Sequence, residues 1–135
     1  MNKIRGSCLC GKVTFDILDS AEQFYFCHCQ QCQKSTGSAF AANVFFAPTN
    51  IHWQSGVELV ERYDVPDRII SNAFCRECGS RVPYLSKSGK YLVVPAGILD
   101  SATATVPKAN IFWSEKARYY SVGVSAPCFT HFPDE

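Results

Sequence analysis

Cys27-His28-Cys29-Gln30-Gln31-Cys32 places three thiols within six residues, and two further thiol pairs flank it, Cys8-Leu9-Cys10-Gly11 upstream and Cys75-Arg76-Glu77-Cys78-Gly79 downstream. A disulfide joins two sulfurs at a restricted separation, so three thiols this close cannot all pair with one another. One metal ion satisfies all three. Thiolates favour zinc, whose tetrahedral shell takes four ligands, so a three-cysteine site keeps one position for water or a substrate. The flanking pairs together make a complete four-cysteine shell. The simplest partition of seven thiols expects two zinc ions per chain, a closed structural site from Cys8, Cys10, Cys75 and Cys78 and an open catalytic one from Cys27, Cys29 and Cys32.

The 135 residues fit one domain, 1–135, of a size that buries about two-thirds of its unfolded surface. Hydrophobic residues at 47% and charged ones at 19% exclude a disordered chain. The formal net charge is +1, and ionising seven thiols around two doubly charged ions lowers it by three, to −2. No bulk positive charge is left to hold nucleic acid or a membrane surface. Neither a secretory leader nor a membrane-length apolar run is visible, so a cytoplasmic location is expected. In that reducing compartment metal explains eight cysteines better than disulfides do.

Periodicity predicts an all-β domain. Val13, Phe15 and Ile17 alternate with polar residues as a half-buried strand does, and Gln23–Phe26 reads as a short aromatic strand leading into Cys27. Gln30–Ser35 forms a short helix in this reading, ended by Gly37, with Cys29 and Cys32 on one side. Phe40–Phe46, Ile51 with Trp53, Val57–Tyr63, Arg68–Phe74, Arg81–Leu85 and Tyr91–Ala96 supply further strands, and the tail reads as loop with brief strands. Tyr25, Phe40, Phe45, Phe46, Trp53 and Trp113 are expected in the core.

Gly6-x-Cys8-x-Cys10-Gly11-x-Val13-x-Phe15, Cys27-His28-Cys29-x-x-Cys32-x-Lys34-x-x-Gly37-Ser38-x-Phe40, Phe74-Cys75-x-x-Cys78-Gly79-Ser80 and Gly97-x-Leu99-Asp100 follow one another in this order. Together they resemble the glutathione-dependent formaldehyde-activating enzyme family, which also includes centromere protein V. The resemblance runs from about Gly6 to Tyr120. It implies a β-tent fold of antiparallel sheets pinned by a structural zinc on Cys8, Cys10, Cys75 and Cys78, with a second zinc on Cys27, Cys29 and Cys32. It also implies joining of glutathione and formaldehyde as S-(hydroxymethyl)glutathione, a carbon-sulfur lyase reaction run in reverse. Family members often carry a Lys-Ala-Pro-Trp-like segment near the tail, where this chain reads Lys116-Ala117-Arg118-Tyr119-Tyr120.

Three thiolates already donate charge to the open metal, which favours activation of a fourth thiol over activation of water. The bound thiol, glutathione or a similar small molecule, would add to an aldehyde carbon. Lys34 is the nearest basic residue in sequence, with a solvated surface lysine as its simpler reading. His28 is expected behind the ligands or at the surface rather than on the metal; His52 and His131 are ordinary polar residues. Cys128, between Pro127 and Phe129, reads as a small apolar side chain. Two other classes compete: a non-catalytic zinc-scaffolded binding module and an iron-sulfur or redox-sensing protein.

Overall fold

Strand β1 (Lys3–Ser7) runs into the first thiol turn and returns as β2 (Thr14–Leu18), its antiparallel partner. In this computed structural model, which describes residues 2–133, a third strand, β5 (Ile51–Ser55), completes that sheet in the order β1-β2-β5. The alternation of Val13, Phe15 and Ile17 is realised as expected, and all three are fully buried. A β-branched or aromatic side chain at every second position covers one face of a pleated strand, which drives this sheet onto its neighbour.

That neighbour carries the site. After β3 (Gln23–Cys27) comes helix α1 (Gln30–Thr36), ended by Gly37, and then β4 (Ala41–Phe46), so the three-thiol segment is the connection of an antiparallel pair in which Cys27 faces Ala41. Beyond β5 (Ile51–Ser55), the two-stranded ribbon of β6 (Val60–Asp64) and β7 (Ser71–Cys75) ends on the last thiol pair. Strands β8 (Tyr84–Leu85), β9 (Leu92–Pro95) and β10 (Ala109–Ile111) complete a five-stranded sheet in the order β10-β3-β4-β9-β8. Phe24, Val44 and Val94 lie on one face by register, and with Phe15, Phe46 and Leu92 they form the main core. Burying such side chains contributes roughly 1.5–3 kcal/mol each.

The fold is mainly β with few helices, and its sheets are antiparallel except for one pairing: β10 lies parallel to β3. Several expected elements change. Val57–Leu59 is a 3-10 turn, so the expected Val57–Tyr63 strand begins only at Val60. The cause is Gly56, at φ +77°, where a β-carbon would stand 2.2 Å from the Lys12 carbonyl oxygen; the chain turns tightly there instead of extending. Asp67, at φ 60°, turns the chain before β7 and delays that strand to Ser71. Between Arg81 and Leu85, only an isolated bridge at Arg81 and the pair Tyr84–Leu85 are strand-like; Pro83 lacks the N–H a ladder needs. The tail contains helix α2 (Tyr120–Val124), which periodicity did not indicate.

Of the expected core aromatics, Phe46 is fully buried and Tyr25, Phe40, Phe45 and Trp53 are half-buried, whereas Trp113 is exposed over 45% of its surface. Cys128 is exposed, contrary to its reading as a packed apolar group: the tail around it leaves the core after Tyr120.

Candidate metal centres

Two turns build the first centre. Cys8 closes the β1–β2 turn by donating its amide to the Val13 carbonyl, and its sulfur accepts the Val13 amide at 3.3 Å. The β7 end makes a matching turn, in which Gly79 donates to the Cys75 carbonyl at 2.7 Å. Gly11 and Gly79 each follow the second cysteine of a pair at positive φ, +79° and +78°, a backbone that glycine adopts without strain. The four sulfurs of Cys8, Cys10, Cys75 and Cys78 come within 4.8 Å of one another although the pairs are far apart in sequence. Cys8 to Cys10 is 3.5 Å and Cys10 to Cys75 is 3.9 Å. A tetrahedral zinc with its usual sulfur distance would set such edges at about 3.8 Å.

Ser80 completes this centre. Its hydroxyl oxygen accepts both the Leu9 amide at 2.9 Å and the Cys78 thiol at 3.3 Å. The Ser80 side chain and then its amide hold the Cys78 thiol down at about 5. Cys10 moves oppositely: although the Lys12 amide favours its thiolate, desolvation and the neighbouring Cys8 thiol push it up to about 11. Such a split is what adjacent sulfurs do when no cation shares their charge.

The second centre is built on one strand end and one helical turn. Cys27 is the last residue of β3, and Cys29 caps α1, its sulfur accepting the Cys32 amide at 3.3 Å. Cys27, Cys29 and Cys32 bring their sulfurs within 4.8 Å of one another, with Cys27 and Cys32 buried. Cys32's hydrogen bond brings the Cys27 thiol down to about 6. The Cys32 thiol is pushed up by that same neighbour and by burial, and Cys29 is raised chiefly by burial. Three packed thiols therefore cannot all ionise by themselves; a soft divalent cation that shares their charge fits this donor set, as it fits the four-sulfur set.

His28 is neither ligand nor surface group. It is fully buried, its Nε2 lies 2.8 Å from Asn110 Oδ1, and its ring packs on Phe40, Trp113 and Tyr120 at centroid distances of 5.4, 5.0 and 4.9 Å. Sequence reasoning missed this cage because Asn110, Trp113 and Tyr120 join it only through the parallel pairing of β10. Gln33 extends the link, donating to the carbonyls of His28 and Glu115. Lys34 is exposed in the last turn of α1, the solvated position its simpler reading assigned. A cavity of about 610 Å³ lies against Cys8, Arg81, Pro95 and Gly97, and Cys27, Cys29 and Cys32 do not line it.

The sequence model of the family described as glutathione-dependent formaldehyde-activating enzyme matches residues 3–115, which include both centres. The chain belongs to this family. A crystal structure of a Rhodobacter sphaeroides protein superimposes with a TM-score of 0.56 at 24% identity, over 76% of this chain and 97% of that one; this likeness concerns the fold alone. No curated protein matches. The formaldehyde-activating family model stops at Glu115, so the departing tail segment from Lys116 to Tyr120 falls beyond it, although Tyr120 packs on His28 inside the matched region. Among the described residues, no helix is long and apolar enough to cross a membrane.

Proposed function

We propose that the chain is a zinc-dependent enzyme of the carbon-sulfur lyase type, which joins a small thiol such as glutathione reversibly to formaldehyde or a related electrophile. The observation that carries this reading is the convergence of three cysteine sulfurs, rather than four, at the end of β3 in a member of the glutathione-dependent formaldehyde-activating family. Cys27, Cys29 and Cys32 would hold a zinc with one position left, and Cys8, Cys10, Cys75 and Cys78 would hold the structural ion that pins a single β-tent domain. Zinc in the three-cysteine set would supply a lowered thiol pKa to a substrate beside it.

The chain's own contribution is positional. The Cys29 cap and the Cys32 amide fix two sulfurs to one helical turn, while the β3–β4 ladder fixes the third. Burial keeps bulk water from competing with the substrate thiol. The reading takes a cytoplasmic location, where eight free thiols persist and glutathione is abundant. The competing reading, a zinc-scaffolded binding module without chemistry, predicts metal but no turnover.

Metal content per chain decides first, and exchange between glutathione, formaldehyde and their adduct, followed by NMR with the zinc-loaded protein, decides second. Two zinc ions and exchange above the protein-free rate are expected. A two-zinc protein that leaves the exchange rate unchanged is the binding module instead.

A further inference from the structure

Three buried polar atoms have no partner among the described residues, His28 Nδ1, Asn43 Oδ1 and Arg81 Nη2, and the last two belong to side chains that sequence reasoning did not single out. Asn43 is 92% shielded, being 8% exposed, and stands on β4 two residues from Ala41, the cross-strand partner of Cys27. Residues two apart share a strand face, so Asn43 projects to the same side as Cys27 and Ala41, and Ala41 packs against Cys27 and Cys32. A buried amide oxygen left unpaired costs about 1–3 kcal/mol, which a fold tolerates at a site that something else completes.

Arg81 reaches this region from the other side. Its Nε donates to Asn72 Oδ1 at 2.6 Å, and Asn72 is two residues from Ile70, which packs against the cysteine cluster. Burial raises the pKa of the neighbouring Tyr84 phenol, and the Arg81 guanidinium opposes that rise. Arg62, stacked 5.7 Å over the Tyr84 ring, is by contrast fully engaged, with its nitrogens on Asp64, the Leu85 carbonyl and Ser71. Among the described residues no carboxylate pairs with Arg81. A guanidinium with one nitrogen bonded and another unpaired is half of an oxyanion site.

We propose that Arg81 and Asn43 form the oxygen-binding wall of the three-cysteine centre, Arg81 donating to the electrophile's oxygen and Asn43 accepting from the product hydroxyl. This rests on the thiol-adduct reading. When the substrate sulfur bonds the carbonyl carbon, the C=O π pair moves to oxygen, and the alkoxide accepts the Arg81 N–H. The proton lost to solvent when the thiol ionised returns to that oxygen from solvent, so thiol plus aldehyde gives the hydroxymethyl thioether with nothing left over. The resulting hydroxyl then donates to Asn43 Oδ1 while still accepting from Arg81. Preorganised donors aimed at a developing oxyanion are worth about 100-fold or more in turnover.

The test uses the zinc-loaded full chain. Formate, a small oxyanion, is titrated while the Arg81 Nε–Hε resonance is followed by NMR, with Arg81→Gln giving the assignment. Saturable movement of that resonance is expected. In the adduct exchange assay, Arg81→Gln is expected to lose about 100-fold in kcat while KM for glutathione moves less than about threefold, with Arg81→Lys recovering part of the rate. Asn43→Leu, which keeps the volume and removes the acceptor, is expected to lose about tenfold. An unmoved Arg81 resonance in the folded parent overturns the proposal, as does a folded, two-metal Arg81→Gln protein exchanging at the parental rate. Should Arg81→Gln fail to fold, the parent titration and Arg81→Lys decide alone. A parent that binds formate at Arg81 but shows no adduct exchange refutes the thiol-adduct reaction and leaves the oxygen site standing.

Discussion

At the residue scale, His28 shows how a side chain between two candidate ligands is held by packing and one hydrogen bond. Its ring fills a cage of Phe40, Trp113 and Tyr120, and its Nε2 meets Asn110, so it ties the three-cysteine turn to the chain after β10. His28→Ala removes a fully buried ring and unpairs Asn110, which together are expected to cost about 3 kcal/mol in urea unfolding. Trp113 and Tyr120 should then become open to protease ahead of the sheet, read by limited digestion. The sequence displayed the cysteines because ligand spacing is local. It hid His28's partner Asn110 because the pairing of β10 with β3 brings that residue from far away in the chain. Cys128 misled for the converse reason: flanking Pro127 and Phe129 suggested packing, but among the described residues that stretch is exposed throughout.

At the scale of elements, legibility followed how much of a strand is buried. β2, β3 and β4 carry alternating or continuous apolar residues and were readable, as was α1 with its stop at Gly37. β1 contributes one aliphatic side chain, Ile4, and β10 is mostly exposed, so neither writes a pattern. β6 is exposed along nearly its whole length, and side-chain bonding holds the ribbon instead: Asp64 accepts from Ser71 and from Arg62, which itself reaches the Leu85 carbonyl. Those donors, Ser71 first and Arg62 second, hold the Asp64 carboxyl below its ordinary value. A carboxylate whose pKa is depressed by folding contributes stability at neutral pH, and that contribution is lost as pH falls through the folded value. Asp64→Asn is therefore expected to flatten the acid limb of the unfolding midpoint, with a small effect at neutral pH because the group is exposed. An acid limb as steep as the parent's would remove Asp64 from the account of this ribbon.

At the scale of the whole molecule, the two sulfur clusters differ in what they join. Cys8 and Cys10 belong to the β1–β2 turn and Cys75 and Cys78 to the end of β7, so the four-cysteine centre fastens the three-stranded sheet to the two-stranded ribbon. Few other bonds cross there: Leu9 to Ser80, and an exposed pair of Lys12 with Glu77 at 3.0 Å. An exposed ion pair adds little to stability, whereas a structural zinc supplies apparent binding energy of about 10–16 kcal/mol that returns as folding energy. The three-cysteine centre instead lies within one connection, between β3 and β4, whose ladder and core stand without it. Cys75→Ala is thus expected to lose cooperative unfolding and most of its zinc, whereas Cys29→Ala should stay folded with one zinc and no adduct exchange. Circular dichroism melts and elemental analysis on the same two samples separate them. Equal loss of fold in both would mean that the open centre also carries the architecture, and the division into a pinning ion and a working ion would fall.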